Sequence, residues 1–461
     1  MRSEARMADV IVVGGGPGGT AAATRVAQLG GHAILVERAQ LGGNCVNRNC
    51  VPLTSLLASV ELFRRLGRAG EMGIQVGPAT LDVPGMLARK ARIVGDLREG
   101  MGGLLPTFGI EVVEGEARLA DPKTVEVDGR RLQATRAVIL ATGARWAPIP
   151  AAIEGVLQPD EALALESVPA RLLIWGGGPS EVEFAALYAA LGSRVILAVD
   201  GPYPLPDEDY EIGQRLQGVL QGQGVEVLTN VRLSSASRMG EGLKVVLAGA
   251  RGEAEVAADR VLWAGRVAAT DGLGLAAVGV RLKDGAVEVD DRRQTSVPGV
   301  YAVGDVTGAP MYSSLATAGG LVAAENAMGG SRRLDRRLVP RCAFTIPEVA
   351  AVGLTEDQAI DAGFDVEVSN VALATNARAM GLGEVEGGIK LVADRKRGRV
   401  LGVHIVGHRA TELIGEGSIA LQLEALTEDL AWALQIHPTL SESVVEAGRG
   451  ILGQSLYVPK F

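Results

Sequence analysis

Two cysteines, Cys45 and Cys50, stand directly after Gly42-Gly43, at the start of a stretch whose apolar spacing predicts a helix from about Cys45 through Leu53 to Leu66. Thiols at this spacing can close a disulfide if the first helical turn is distorted. The positive end of the helix dipole would also stabilise a thiolate there. A metal site needs about four ligands. Only Cys342 and four histidines remain, none at a paired ligand spacing, so no metal is expected. Two buried and inert cysteines are the competing reading. Toward the other end, His437 and Glu442 flank Pro438 and could form a base with its orienting carboxylate. A histidine–glutamate pair is more often a surface pair, and spacing alone leaves both readings open.

The elements that must position these groups can be read from the glycines. Gly14-x-Gly16-x-x-Gly19 falls between a β-branched run at 10–13 and an alanine-rich helical stretch at 20–29. A strand at 33–36 follows and ends at Glu37. In such a βαβ unit the first glycine permits the turn and the second lets backbone reach a pyrophosphate. The third allows close helix–strand packing, and a carboxylate about twenty residues on meets ribose hydroxyls. A second unit of the same type begins at Leu172: strand 172–175, Gly176-Gly177-Gly178, helix 180–191, strand 194–199. The repetition implies two dinucleotide-binding domains. Residues 300–305 read as a strand ending in the Gly304-Asp305 turn. Beyond Val339-Pro340, strands at 389–393 and 400–406 alternate with helices at 412–423 and 428–434. The expected fold class is α/β: two Rossmann-like dinucleotide-binding domains plus a C-terminal α+β domain, divided at 1–148, 149–267, 268–338 and 339–461.

Bulk properties narrow the function. A chain of 461 residues exceeds the roughly 250–300 at which a single core stops growing. A net charge of −9 without a long basic run disfavours nucleic acid, and the basic stretches 332–341 and 395–399 read as solvated surface. No apolar stretch approaches the roughly 20 residues that span a bilayer. The short polar start, without an apolar signal region, makes the cytoplasm the expected compartment. Three cysteines are too few for a disulfide-stapled scaffold.

The segment from Leu41-Gly42-Gly43-Asn44-Cys45 to Cys50-Val51-Pro52 resembles the redox-disulfide motif of the pyridine nucleotide-disulfide oxidoreductases. Ala141-Thr142-Gly143 and Val303-Gly304-Asp305 resemble that family's second and third FAD contacts. Phe344-Thr345-Ile346-Pro347-Glu348 resembles the start of its dimerisation domain, and His437 to Glu442 its catalytic dyad. The resemblance covers essentially the whole chain in the right order. It is nearest to members acting on dihydrolipoyl groups, helped by Asn376-Ala377-Arg378-Ala379 and Thr427-Glu428-Asp429.

The resemblance implies an enzyme with FAD and NAD as cofactors, a homodimer, and a lipoyl-bearing protein or small dithiol as substrate. Cys45 would be the interchange thiol and Cys50 the charge-transfer thiol nearest the flavin. His437, from the partner subunit, would be the general base, with Glu442 orienting it. Cofactor contacts are implied at Gly14, Gly16, Gly19, Glu37, Gly43, Ala117, Thr142, Gly143, Gly176, Gly178, Glu183, Gly265, Gly304, Asp305 and Ser313.

Four positions depart from the family pattern. Glu181 replaces the third glycine of the second fingerprint, Pro179 the aromatic that covers the flavin, and Val199 the ribose-binding acid, with Asp200 next to it. A side chain at 181 should push helix from strand, and its carboxylate should repel a pyrophosphate. No arginine pair favours NADP. Thr54 replaces a lysine that normally pairs with the counterpart of Glu183, a loss that should lower the flavin potential. The alternative reading is therefore a homologue with altered nicotinamide use that serves another electron partner.

Overall fold

The computed structural model describes residues 6–150, 153–250 and 252–457. It divides into two compact units. The first comprises residues 1–55, 84–148 and 265–336; the second comprises 56–83, 149–264 and 337–461.

The first unit is built on a seven-stranded sheet. Strands Glu111–Glu114, Ala33–Glu37, Arg6–Val13 and Arg130–Leu140 lie side by side in parallel, and Val300–Ala302 also pairs in parallel with Arg130–Leu140. Strands Ala117–Asp121 and Thr124–Val127 extend the sheet as an antiparallel meander. The central strands are near-continuous Val, Ile, Leu and Ala runs because the sheet is covered on both faces. Val10, Val12, Leu35 and Ile139 point into one buried cluster and Ile11, Ile34, Val138 and Leu140 into the other. Helix Pro17–Gln28 buries Ala22, Ala23 and Val26 against the first of these.

The second unit holds an all-parallel five-stranded sheet in the order Glu226–Thr229, Arg194–Val199, Arg171–Trp175, Arg260–Trp263, Val156–Leu157. A three-stranded antiparallel sheet, residues 231–258, packs beside it. A five-stranded antiparallel sheet follows, ordered Arg341–Ala343, Glu348–Gly353, Arg399–Gly407, Gly388–Asp394, Val366–Ala372. Helices Ala410–Gln422 and Glu442–Ile451 cover that sheet. The mixed α/β architecture with two glycine-turn βαβ motifs and a C-terminal α+β region agrees with the sequence reading.

Three expectations are corrected. The strand read at 300–305 stops at Ala302 and passes into a short 3₁₀ turn, Gly304–Thr307, because Gly304 takes φ +72°. The helix read at 428–434 is shorter, Thr427–Ala431. Arg341, counted among solvated surface basics, is largely buried and binds Glu208 through two hydrogen bonds of 2.8 Å. Lys390 is also buried, with Asp209, Glu211 and Glu356 around its ammonium at 2.6–3.0 Å. Among the described residues no helix is long and apolar enough to cross a membrane, and no His, Cys, Asp and Glu cluster could hold a metal ion.

Candidate active site

The cysteines do not share one helix. A short helix, Gly43–Asn47, carries Cys45, and a second, Cys50–Gly67, starts at the other thiol. Gly42 at φ +94° opens the first. It closes where the amides of Arg48 and Asn49 both donate to Asn44 O, at 2.8 and 2.9 Å, and the Leu53 amide then restarts the ladder on Asn49 O. This break replaces the continuous helix predicted from spacing. It supplies the distortion that a Cys-x₄-Cys contact requires, since residues five apart do not face each other along a regular helix. Cys45 and Cys50 are partly exposed and hydrogen-bonded to each other. That hydrogen bond and burial push the Cys50 thiol well above its ordinary value, against the opposing pull of Ser313 and Arg266. Cys50 Sγ lies 3.8 Å from Ser313 Oγ, at the start of helix Ser313–Ala327.

The thiol segment sits on the first glycine turn. A Cβ on Gly43 would lie 2.9 Å from Gly16 Cα, and the Gly42 amide donates to Gly15 O at 2.8 Å. Gly14, at φ +110°, presses on Ala141-Thr142-Gly143: a Cβ there would stand 2.2 Å from Ala141 O. A Cβ on Gly19 would be 1.8 Å from Gly14 O, so the helix packs on the turn as only glycine allows. Glu37 holds the turn by accepting the Gly15 amide at 2.6 Å and the Ala39 amide at 2.8 Å. Helix Pro17–Gln28 starts with no side-chain cap, which leaves its first amides for an anion. This bare cradle fits the pyrophosphate of FAD.

The remaining implied contacts of the first unit frame it. Thr142 Oγ1 donates to Ala269 O at 2.8 Å, and Gly143 takes φ +74°. Asp305 faces Arg266 at 3.4 Å, and burial pushes its carboxyl above the ordinary range despite that guanidinium. Gly265 O accepts the Ala147 amide at 2.8 Å. Ala117 opens its strand two residues after Gly115, whose amide donates to Glu37 O at 3.1 Å.

The second glycine turn, in the other unit, is filled differently. Gly176 takes φ +117° and Gly178 precedes helix Pro179–Ala190. Glu181 is buried and folded onto both glycines. A Cβ on Gly176 would lie 3.1 Å from its Cγ, and one on Gly178 would lie 2.9 Å from its Oε2. Val199 packs on Gly177, where a Cβ would lie 2.6 Å from Val199 Cγ1. Asp200, the candidate substitute acid, pairs with Arg232 at 3.2 Å. Glu183 is buried and accepts the Phe344 amide at 2.9 Å. Thr54 turns back on its own helix, donating to Cys50 O at 2.8 Å, as a short hydroxyl side chain commonly does.

His437 Nδ1 lies 2.9 Å from Glu442 Oε1, and Glu442 Oε2 accepts the Thr439 amide at 2.8 Å. The His437–Pro438 peptide is cis. Burial would raise the Glu442 carboxyl, but the Thr439 amide and His437 outweigh it and hold it low. The imidazole is two-thirds exposed, so the pair presents one ring nitrogen outward.

Sequence reasoning missed several participants. Asn44 donates to Ala144 O at 2.7 Å and so ties the thiol segment to the strand after Gly143. Arg266 was passed over, although it follows Gly265. A basic cavity of about 470 Å³ beside Pro438 is lined by Arg65, Arg378, His408 and Arg409. Arg65, Arg378 and the adjacent His408 and Arg409 are too far apart in sequence to have been grouped.

Comparison with known proteins places the chain among flavin disulfide enzymes. Residues 8–327 match the pyridine nucleotide-disulphide oxidoreductase family, and residues 339–448 match its dimerisation domain. The dihydrolipoyl dehydrogenase of Thermus scotoductus is 39% identical, over 98% of each chain. LpdA from Mycobacterium tuberculosis superimposes with a TM-score of 0.88 at 29% identity, covering 96% of this chain and 99% of that one. The HOCl-induced flavoprotein disulfide reductase RclA from Escherichia coli follows with a TM-score of 0.83 at 27% identity, covering 95% and 99%.

Proposed function

This chain belongs to the pyridine nucleotide-disulphide oxidoreductase family, and we propose that within it the protein acts as a dihydrolipoyl dehydrogenase. It is an FAD-dependent oxidoreductase acting on a sulfur group, and the cofactors of this class are FAD and NAD. Its C-terminal region is a dimerisation domain, and the enzyme is a homodimer. Trp432, Leu434 and Ile436, just before His437, are 70–99% exposed in the single chain. An apolar run of that kind requires a covering surface.

The roles follow from the chemistry of the residues. His437, serving the partner's thiol pair, takes a proton from one thiol of the dihydrolipoyl group, while Glu442 fixes the ring and stabilises the imidazolium. The substrate thiolate attacks Cys45 Sγ of the oxidised pair. The Cys45–Cys50 bond breaks, Cys50 leaves as a thiolate, and a mixed disulfide joins the substrate to Cys45. The second substrate thiol, losing its proton in turn, attacks the substrate sulfur of that mixed disulfide. This closes the lipoyl ring and releases Cys45. Two electrons have passed from the dithiol to the cysteine pair, which ends reduced, and the protons taken from the substrate thiols are left for the cysteine sulfurs and solvent. The Gly14–Gly19 turn, Glu37 and Asp305 would hold FAD, which when bound would supply the relay of those two electrons from the cysteine pair to NAD.

The observation that carries the reading is the thiol pair seated on the first glycine turn, in a chain alike over its whole length to dihydrolipoyl dehydrogenases. The substrate is a protein-bound lipoyl group or a small dithiol. The deciding experiment is anaerobic stopped-flow mixing of the yellow protein with dihydrolipoamide. A long-wavelength thiolate–flavin band that NAD then returns to oxidised flavin supports the reading. A flavin that stays oxidised through many equivalents of dihydrolipoamide overturns it.

A further inference from the structure

We infer that Glu181 lowers the affinity for NAD: it occupies, with its own carboxylate, the place on the second glycine turn where the dinucleotide's pyrophosphate must sit. The inference deepens the proposed function, since it concerns the electron acceptor of that same reaction.

A glycine fingerprint works because its bare Cα faces let phosphate oxygens approach the backbone and the first amides of the following helix. In the second turn those faces are not open. The space beside Gly178 is met by Glu181 Oε2 at 2.9 Å, and the space beside Gly176 by Cγ, Cδ and Oε1 of the same side chain at 3.1, 3.2 and 3.3 Å. Glu181 is buried and lies in the first turn of a twelve-residue helix, where the dipole favours a negative charge. The helix thus carries an internal anion at its start. The first turn has no counterpart, because helix Pro17–Gln28 has no acidic residue in its first turn.

Two consequences follow for binding. The dinucleotide can approach Gly176 and Gly178 only when the Glu181 side chain has swung away, so its apparent affinity is reduced by the fraction of chains in that open state. A displaced carboxylate still stands near the pyrophosphate and repels it. Glu181 therefore weakens NAD. The backbone of the turn remains suited to NAD once the side chain is out.

The test is equilibrium titration of the FAD-loaded dimer with NAD by calorimetry. Glu181→Ala removes both bulk and charge and is expected to lower the Kd at least tenfold. Glu181→Gln keeps the shape, guards against a folding defect in the alanine variant, and is expected to lower the Kd at least threefold. An NAD Kd within twofold of the parent in both folded, FAD-loaded variants overturns the inference. Reduction of the unmutated protein by dihydrolipoamide, which needs no NAD, tests the proposed function on its own, so the two failures are distinguishable.

Discussion

In the first glycine turn a Cβ on Gly19 would stand 1.8 Å from the Gly14 carbonyl oxygen, whereas the matching place in the second turn is taken by Glu181. The two turns therefore cannot share one helix–turn spacing, although they share a plan. Each has a positive-φ glycine first: Gly14 at +110° and Gly176 at +117°. Each is clamped by the loop after its second strand, through the Gly42 amide on Gly15 O at 2.8 Å and the Leu205 amide on Gly177 O at 2.7 Å. They differ in what fills the plan. The first keeps three bare glycines and an acid, Glu37, on the turn amide; the second has a carboxylate over its glycines and Val199 where the acid would be. A shared backbone plan thus leaves the affinity of a nucleotide site to a few side chains.

Copying the second turn into the first should have the largest effect. Gly19→Glu is expected to abolish FAD retention, leaving colourless protein with a flavin-to-protein absorbance ratio near zero. A yellow variant would mean that the helix can move off the first turn as freely as off the second. Next comes the support of the second turn. Asp209 caps helix Tyr210–Gly222 just after the clamping loop, and it accepts the Lys390 ammonium at 3.0 Å. Burial would lower the Lys390 ammonium, but hydrogen bonds to Glu356, Glu211 and Asp209 outweigh it. Lys390→Met leaves the buried Asp209 carboxylate without its ammonium partner and should cost about 3–5 kcal/mol of unfolding free energy. Denaturant melts of parent and variant would show it, and a change below ~1 kcal/mol would count against the network.

A smaller effect is expected of Glu37→Val, which gives the first turn the residue found in the second. Loss of a charge-assisted hydrogen bond of about 1.5–3 kcal/mol should weaken FAD roughly 10- to 150-fold. Equilibrium dialysis against free flavin nucleotide measures this directly. The smallest concerns pH. Burial holds His404 below its ordinary 6.5, despite its hydrogen bond to Leu354 O, so the unfolded chain binds the proton first. The stability from the neutral ring is complete above about pH 6.5 and is lost as pH falls toward the lower folded-state value, by at most about 1.4 kcal/mol per pH unit. His404→Gln should flatten the acid limb of unfolding free energy between pH 7 and 5. An unchanged slope would assign that limb to other groups.

The chemistry was legible in the sequence wherever one residue type at one spacing has few substitutes. Gly14 and Gly19 are fixed by backbone contacts that no Cβ survives, and a glutamate at the end of the second strand is fixed by the turn amide it accepts. Cys45, Cys50, His437 and Glu442 took their roles from the family resemblance, since spacing alone left each pair open between chemistry and an inert or surface pair. Glu181 was visible as a departure.

Only the tertiary structure decided how these residues are used. The break between helices Gly43–Asn47 and Cys50–Gly67, and so the meeting of the thiols, depends on Asn44 O taking two amides and on Gly43 resting against Gly16. Spacing carries no information about such contacts. Arg341 reads as a surface charge until Glu208, over a hundred residues earlier, is seen beside it, and nothing local in the sequence links Lys390 to Asp209. Glu181 could be read as a misfit, but only the fold shows its carboxylate lying over the glycines, because where a side chain turns is set by the neighbours that packing provides.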